Sequence, residues 1–367
     1  MADAKLYQLR AAIARADRTI GRGIERRLAL ARQIGVAKRT RRLPVRDYTM
    51  EGNVVARWQE AMKRARVAPE RAETLARWLV EESVRVQEEL GEATRVAKPG
   101  SEVLVVGGAG SMGRWMCGFF RSYGHEVGIF DPRARPREFP SYRVHRRLGP
   151  AIRRADIIVV ATPMRATRKV YREIGECRPR ALLFDILSIK SPILPEIRRA
   201  KERGWKVTSV HPLFGPTTRS LSQRNLLVLD CGDPEANSQV TALFRRSSLS
   251  VTELAIEKHD PLIGSVLGLP HVVSLLFSTA LVRTGHTATQ LSRVAPTSFL
   301  READVARLVT NENPELAFDI QSLNPASPAV YARLGSALRT LRRAAEAGDR
   351  EAYDHLLMDA RHLWNRP

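Results

Sequence analysis

One short segment constrains the fold of this chain more than any other: an apolar run that leads directly into a glycine-rich loop. Residues 103–106 read Val-Leu-Val-Val, and Gly108, Gly110 and Gly113 then follow in the spacing G-x-G-x-x-G. A strand that turns through such glycines into a helix lets a pyrophosphate approach the backbone, where it meets the free N–H groups of the helix. The sequence therefore predicts a dinucleotide-binding site at this turn.

An acid stands where a dinucleotide site needs one. Asp131 ends the next apolar run, 127–130, where its carboxylate would bind the ribose hydroxyls and repel a 2′-phosphate, so NAD is the predicted cofactor. Arg133 and Arg135 follow and would instead favour NADP if they bound that phosphate. The predicted cofactor-binding residues are Gly108, Ala109, Gly110, Ser111, Met112, Gly113, Asp131, Thr162 and Pro163.

Short apolar runs continue beyond the loop and alternate with helical stretches. They lie at 157–160, 182–184, 207–210 and 226–229. This alternation predicts an α/β domain with a mainly parallel sheet, of the Rossmann-like kind. After about residue 253 no such run recurs, and the rest of the chain is predicted to be helical.

The first ninety residues have a different pattern. Apolar residues fall at helical spacing from about 6 to 41, Pro44 interrupts them, and further helices are predicted at about 48–67 and 69–91. Three helices in ninety residues cannot enclose a large core alone, so dimerisation is expected. The predicted fold class is thus multi-domain: an all-α N-terminal domain (1–92), a linker (93–100), an α/β Rossmann-like domain (101–254) and an all-α C-terminal domain (255–367).

Composition limits the kinds of partner. The chain has 367 residues and a formal net charge of +21, but the charge is spread evenly and aromatic residues make up only 6%. A nucleic-acid-binding protein is expected to cluster basic and aromatic residues, so that class is disfavoured. The three cysteines, Cys117, Cys177 and Cys231, stand far apart, which argues against disulfides and against a metal site and favours the cytoplasm.

One uncharged stretch is long enough to span a bilayer. Residues 261–282 contain no Asp, Glu, Lys or Arg, but Pro261, Pro270 and His271 interrupt the apolar run. A helix pair buried in a core or in a dimer interface is therefore expected, and a membrane span is not.

Several motifs in residues 101–367 resemble the prephenate dehydrogenases. They are the glycine loop, the segments Asp185-Ile186-Leu187-Ser188-Ile189-Lys190 and His211-Pro212-Leu213-Phe214-Gly215-Pro216, and the pair His259-Asp260. Enzymes of that family oxidise and decarboxylate prephenate to 4-hydroxyphenylpyruvate. The resemblance implies that His211 accepts a hydrogen bond from the substrate hydroxyl as the carbonyl forms, that Ser188 orients His211 or meets the cofactor, and that Arg307 binds a substrate carboxylate. It also places His259 and His271 at the substrate.

The N-terminal helices resemble the all-helical chorismate mutases. The matching positions are Arg10, Arg27, Lys38, Asp47, Glu51, Ser83 and Gln87. Helical geometry agrees with a shared site, because Arg27 and Lys38 differ by only about 20° in direction around the helix. Arg10 lies about 100° from Arg27, which suits an arginine that enters the partner subunit's site.

A pericyclic rearrangement of chorismate needs no nucleophile or base. The protein must hold a dicarboxylate in a compact conformer and stabilise charge on the breaking ether oxygen. By resemblance Lys38 and Gln87 donate to that oxygen, while the other matched residues bind the substrate. One position departs from the family: Met50 stands where arginine is frequent, so carboxylate binding is weaker or another arginine such as Arg46 replaces it.

The sequence therefore predicts a bifunctional enzyme of tyrosine biosynthesis. The alternative is a monofunctional prephenate or arogenate dehydrogenase whose helical N-terminal domain serves only in dimerisation. Arogenate differs from prephenate by an amino group in place of the keto oxygen, and no residue distinguishes the two substrates.

Overall fold

The computed structural model describes residues 2–40, 48–89, 100–218, 221, 224–245, 247 and 249–365. The helices, in chain order, are α1 (Ala2–Thr40), α2 (Tyr48–Lys63), α3 (Pro69–Glu89), α4 (Ser111–Ser122), α5 (Leu148–Arg154), α6 (Met164–Glu176), α7 (Leu194–Glu202), α8 (Pro234–Arg245), α9 (Ile256–Ile263), α10 (Leu269–Val282), α11 (Ala288–Val294), α12 (Thr297–Thr310), α13 (Pro314–Leu323), α14 (Ser327–Ala347) and α15 (Arg350–Asn365). The strands are β1 (Glu102–Val106), β2 (Glu126–Phe130), β3 (Arg143–His145), β4 (Ile157–Val160), β5 (Leu182–Asp185), β6 (Val207–Pro212), β7 (Asn225–Asp230) and β8 (Ser250–Ala255). The predicted fold class is confirmed.

Helices α1, α2 and α3 form the N-terminal bundle, in which α3 packs against both α1 and α2. Ala72, Ala76, Leu79, Val80 and Val84 of α3 are buried in it. Helix α2 is shorter than the sequence predicts and ends at Lys63, because the chain turns there. Arg66 has a φ of 53°. Pro69 also disfavours the helical conformation in the residue that precedes it.

The sheet has eight strands in the order β3-β2-β1-β4-β5-β6-β7-β8. The pairs from β3 across to β6 are parallel, and β6 pairs with β7 in the antiparallel sense. All the side chains of β4 and β5 are buried, since helices cover both faces of a parallel sheet, and this explains their uninterrupted apolar sequences. The strand order reverses between β1 and β4, which is where such sheets bind ligands.

From Ile256 onward the described residues contain helices and no strand. Helix α9 continues into α10 through a π-helical turn, Gly264–Gly268. Among the described residues this stretch, Ile256–Val282, is the one helical segment with the length and hydropathy of a membrane span, and 22% of its most apolar part is buried within the chain. Val266, Leu276 and Val282 are exposed in the single chain.

Tertiary contacts divide the chain into two compact units. The first comprises residues 1–162, 169–186 and 197–253, and the second comprises 163–168, 187–196 and 254–367. The second unit thus contains the start of α6 and the segment that follows β5 as well as the C-terminal helices.

Candidate active sites

The N-terminal bundle encloses a cavity of about 720 Å³, here called the bundle cavity. Four of the residues predicted to bind chorismate line it: Arg27, Lys38, Ser83 and Gln87. The complete lining consists of Arg27, Leu30, Ala31, Ile34, Lys38, Met50, Val54, Arg57, Trp58, Ala61, Val80, Ser83, Val84 and Gln87. Apolar walls with a few convergent polar groups are the usual composition of a small-molecule site.

Arg27 is fixed against α3. Its guanidinium donates hydrogen bonds to the backbone oxygen of Leu79 and to Ser83 Oγ, and Ser83 Oγ donates to the same Leu79 oxygen at 2.9 Å. Burial lowers the pKa of Arg27, and the neighbouring charge of Arg57 lowers it further. A guanidinium held in this way is oriented for a carboxylate before any ligand arrives.

Gln87 presents a buried amide to the same cavity. Its Nε2 donates to the backbone oxygen of Ser83 at 3.1 Å, while Oε1 is buried without a hydrogen-bond partner among the described residues. Gly35 of α1 makes room for this side chain, because a Cβ at Gly35 would lie 3.1 Å from Gln87 Cγ. A buried polar atom without a partner marks a place where a ligand can be recognised.

The other predicted mutase residues differ in position. Arg10 is exposed on α1 and does not line the bundle cavity of its own chain. Asp47 lies outside the described residues, and so does the side chain of Glu51. Arg57 lines the cavity, although the sequence analysis did not identify it. Arg57 lies seven residues after Met50 on the same face of α2, and this spacing could have identified it from the sequence.

The glycine loop begins one residue before the G-x-G-x-x-G motif. Gly107 has a φ of +87°, and a Cβ there would lie 2.6 Å from the backbone oxygen of Ala161. A Cβ at Gly108 would lie 2.8 Å from Ile129 Cγ2, and one at Gly113 would collide with the backbone oxygen of Gly107. Side chains are therefore excluded from the turn, which leaves the backbone open to a ligand.

The loop leads into the N-terminus of α4. Gly110 is its N-cap and provides no side-chain cap, so the first N–H groups of the helix, beginning at Ser111, remain available to an anion. The side chains of Ala109 and Met112 pack against the hydrophobic core.

Asp131 is tied to this loop. Its Oδ2 accepts a hydrogen bond from Ala109 N at 3.1 Å, and its Oδ1 accepts one from Arg133 N at 2.8 Å. Arg133 Nε lies 3.5 Å from the same oxygen, but this side chain is largely exposed. Arg135 is also exposed.

Thr162 follows β4 and borders the loop, because a Cβ at Gly107 would lie 3.0 Å from Thr162 N. Pro163, in the second unit, precedes α6, and its backbone oxygen accepts a hydrogen bond from Thr167 Oγ1 at 3.0 Å. The exclusion of side chains, the uncapped helix and the acid at the end of β2 together fit a dinucleotide.

His211 lies near the end of β6, opposite Leu227 of β7, and is buried. Two residues earlier, and therefore on the same face of the strand, the hydroxyl of Ser209 is buried without a partner among the described residues. The antiparallel pairing of β6 with β7 fixes the backbone that carries His211.

In the second unit Asp260 connects the segment of Ser188 to α9. Its carboxylate accepts hydrogen bonds from Lys190 N at 2.9 Å, from Ser191 N at 2.8 Å and from Ser191 Oγ at 2.5 Å. His259 Nδ1 lies 2.7 Å from Asp260 Oδ1. Burial would raise the pKa of Asp260, but the hydrogen bonds from His259, Ser191 and the two backbone groups lower it below its ordinary value.

His271 and Arg307, also in the second unit, have different surroundings. His271 is buried on α10, where its Nε2 lies 3.5 Å from Glu312 Oε2 and its Nδ1 has no partner among the described residues. Arg307 is exposed on α12, and in the described part of the chain its guanidinium has one ion-pair partner, the exposed Asp304 at 3.2 Å. In that same part, no group of three or more His, Cys, Asp or Glu side chains is arranged to hold a metal ion.

Three family models match successive parts of the chain. The model for chorismate mutase type II matches residues 9–88. The model for the prephenate dehydrogenase nucleotide-binding domain matches 143–240, and that for the prephenate dehydrogenase dimerization domain matches 255–359. The glycine loop precedes the second match, so its assignment depends on the geometry described above.

One relative matches nearly the whole chain, and two others match 70% of it. A 4-amino-4-deoxyprephenate dehydrogenase of Streptomyces pristinaespiralis is 30% identical over 70% of this chain and 89% of its own length. A T-protein of Enterobacter agglomerans is 24% identical over 95% of this chain and 90% of its own. A probable arogenate/prephenate dehydrogenase of Methanocaldococcus jannaschii is 24% identical over 70% of this chain, but the match spans only 60% of that protein.

Solved structures agree on the fold of residues beyond the bundle. A prephenate dehydrogenase from A. aeolicus, in complex with hydroxyphenyl propionate and NAD+, has a TM-score of 0.59 at 16% identity and covers 73% of this chain and 99% of its own. Synechocystis arogenate dehydrogenase has a TM-score of 0.56 at 18% identity and covers 71% and 98%. Given the Streptomyces relative and the near full-length match to a T-protein, the chain belongs to the prephenate dehydrogenase family and carries a type II chorismate mutase domain in the same polypeptide.

Proposed function

We propose that this chain performs two consecutive steps of tyrosine biosynthesis. The N-terminal bundle rearranges chorismate to prephenate, and the remainder oxidatively decarboxylates prephenate to 4-hydroxyphenylpyruvate with NAD. One observation carries the proposal: the same chain contains a cationic cavity in a mutase domain and a dinucleotide loop. A T-protein matches 95% of this chain. The product of the first reaction is the substrate of the second.

The mutase step uses the bundle cavity. Arg27, already oriented by Ser83, binds a carboxylate of chorismate, while Lys38 and Gln87 donate to the ether oxygen whose bond breaks. These donors stabilise charge that develops only in the transition state, and the apolar walls of the cavity strengthen their electrostatic effect. Asp47 and Glu51 also bind the substrate, and Arg10 acts in the site of a partner subunit.

The dehydrogenase step begins with cofactor binding. The N–H groups at the start of α4 bind the pyrophosphate of NAD, and Asp131 binds its ribose hydroxyls. Bound there, NAD supplies the acceptor for the hydride that leaves the ring carbon. Gly108, Gly110 and Gly113 contribute by the absence of side chains.

The remaining residues act on prephenate. His211 takes the hydroxyl proton as the carbonyl forms, which a neutral imidazole is suited to do. Arg307 binds a carboxylate, Ser188 supports His211 or the cofactor, and His259 and His271 contact the substrate. Release of carbon dioxide then follows because the ring becomes aromatic.

A second candidate substrate has a specific observation in its favour. The relative at 30% identity is a dehydrogenase of 4-amino-4-deoxyprephenate, and another relative is named for arogenate as well as prephenate. These substrates carry an amino group that prephenate lacks. Prephenate remains the first choice because the mutase domain of the same chain would produce it.

The protein is proposed to be a cytoplasmic homodimer that binds neither nucleic acid nor a membrane. The match of residues 255–359 to a dimerization domain and the exposed apolar side chains of Val266, Leu276 and Val282 support the dimer. A partner subunit would then cover the apolar stretch of α9 and α10.

One assay tests the proposed function. Chorismate and NAD are supplied together, and prephenate and NADH are followed over time. We expect prephenate to appear first and NADH to follow, and we expect NADH from prephenate supplied directly. NADH formation with arogenate or 4-amino-4-deoxyprephenate, but not with prephenate, would establish the second candidate. Absence of any turnover of chorismate would establish the monofunctional alternative.

A further inference from the structure

The bundle cavity contains a cation that the family pattern does not account for. Helix α2 lines the cavity with Met50, Val54, Arg57, Trp58 and Ala61. These positions follow the i, i+4, i+7, i+8 and i+11 spacing of one helix face, so Arg57 is placed on the cavity side of α2. It is also the one arginine in the sequence of this helix.

Arg57 stands close enough to Arg27 for their charges to interact. The positive charge of Arg57 is the second cause, after burial, of the lowered pKa of Arg27. Within the described part of the chain Arg57 forms no ion pair with an acid, and no described residue of the lining is acidic. Arg27, Arg57 and Lys38 thus place three positive charges around one cavity, an arrangement that favours a dianion.

The cations are distributed toward two ends of the cavity. Arg27 bonds to Ser83 on α3, whereas Gly35, further along α1, lies against Gln87. Lys38, three residues beyond Gly35, therefore belongs to the Gln87 end. Because Arg57 lines the same cavity and its charge acts on Arg27, we assign Arg57 to the Ser83 end.

Arg57 also provides a positive charge on the helix face where Met50 stands in place of the arginine that is frequent in the family. Seven residues separate the two positions, so they lie about 20° apart in direction and about 10 Å apart along the helix. Met50 offers no charge to the cavity, whereas Arg57 offers one on the same face. The guanidinium frequent in the family at Met50 has a counterpart here two turns away, in the lining of the same cavity as Arg27.

We infer that Arg57 is a substrate-binding residue of the mutase site, where it and Arg27 together bind one carboxylate of chorismate. The inference rests on the proposed mutase function and names a contact that this function does not require. Two guanidiniums bind a carboxylate through charge-assisted hydrogen bonds, and the bound anion relieves their mutual repulsion. In the alternative, Arg57 is a solvated charge on an exposed helix face.

The test compares Arg57→Met with Arg71→Met. Methionine keeps an apolar stem of similar length, so it separates the loss of the guanidinium from the loss of packing. Arg71 is an exposed helical arginine of the same bundle that does not line the cavity. Mutase kinetics and calorimetric binding of an inert dicarboxylate analogue of chorismate are measured on the full chain, together with the midpoint of thermal unfolding.

We expect Arg57→Met to weaken binding of the analogue and to lower mutase kcat/KM by about 10- to 100-fold, the usual effect of losing a charge-assisted contact. Its unfolding midpoint should not fall, because a repulsion has been removed. Arg57→Lys should retain part of the affinity, and Arg71→Met should match the wild type.

The two possible failures are distinguishable. If the wild type rearranges chorismate and Arg57→Met matches it within about twofold in both binding and kcat/KM, the inference is wrong and the proposed function stands. If the wild type neither rearranges chorismate nor binds the analogue, the proposed mutase function is wrong and the inference falls with it. If Arg57→Met folds but has lost affinity for the analogue, the result supports both the inference and the proposed function.

Discussion

Asp131 Oδ2 accepts a hydrogen bond from the backbone N–H of Ala109 at 3.1 Å, which ties the acid at the end of β2 to the glycine loop after β1. The two strands are adjacent and parallel, so their carboxyl ends meet at the same edge of the sheet. The carboxylate is thereby held beside the loop that we propose binds the pyrophosphate, at the place where an adenosine ribose would lie.

Replacement of Asp131 by serine should change the cofactor preference. The variant loses the charge that repels a 2′-phosphate and frees Arg133, whose Nε lies 3.5 Å from Asp131 Oδ1. We expect the ratio of kcat/KM for NAD to that for NADP to fall by about tenfold or more, equivalent to ~1.4 kcal/mol. Steady-state kinetics with both cofactors measure it. A wild type that already prefers NADP would instead make Arg133 the determinant.

His211→Asn should slow the chemical step of the dehydrogenase. Asparagine cannot accept a proton from the hydroxyl, so kcat should fall by roughly 100-fold or more, while KM for prephenate changes little. Mutase activity is the internal control and should stay normal. A large rise in KM at unchanged kcat would assign His211 to binding instead.

Arg307→Ala should have the opposite pattern. An exposed guanidinium whose one described partner is the exposed Asp304 adds little to stability, so the variant should fold normally. We expect KM for prephenate to rise by about tenfold or more, with a smaller effect on kcat. Arg301→Ala, another exposed arginine of α12, is the matched control; an equal effect in both variants would contradict a carboxylate contact.

Asp260→Asn should destabilise the second unit in a pH-dependent manner. Because the pKa of folded Asp260 is below its ordinary value, the carboxylate stabilises the fold above about pH 4. That contribution is lost as pH falls through the lower folded pKa. The unfolding midpoint of the variant should therefore lie below that of the wild type at neutral pH, with the difference shrinking in acid. A difference constant across pH would show that the charge is not responsible; exposed Asp304→Asn is the control.

The sequence was sufficient to predict the buried strands. The apolar runs at 157–160 and 182–184 correspond to β4 and β5, whose side chains are wholly buried, so hydrophobicity alone identifies them. Strands β3 and β8 were not predicted. Both contain polar, partly exposed side chains, and their strand conformation depends on neighbours that no local pattern reveals.

Tertiary contacts determine the structural features that the sequence alone did not predict. The left-handed turn falls on Gly107 and not within the G-x-G-x-x-G spacing, and the backbone of Ala161, just after β4, leaves no room for a Cβ at this glycine. Asp260 accepts hydrogen bonds from Ser191 and from the backbone of Lys190, which lie about seventy positions away in the sequence. Arg57 is identified as a candidate by the cavity that residues of α1, α2 and α3 line together.

The central claim is that one chain holds two independent active sites, and Lys38→Ala tests it most directly. Lys38 lines the bundle cavity, where loss of one donor to the ether oxygen should lower mutase kcat by about 100-fold or more. The measurement is mutase and dehydrogenase activity of the same preparation, with Lys63→Ala, an exposed lysine of α2, as control. We predict lost turnover of chorismate and unchanged NADH formation from supplied prephenate. Full mutase activity in Lys38→Ala would contradict the account.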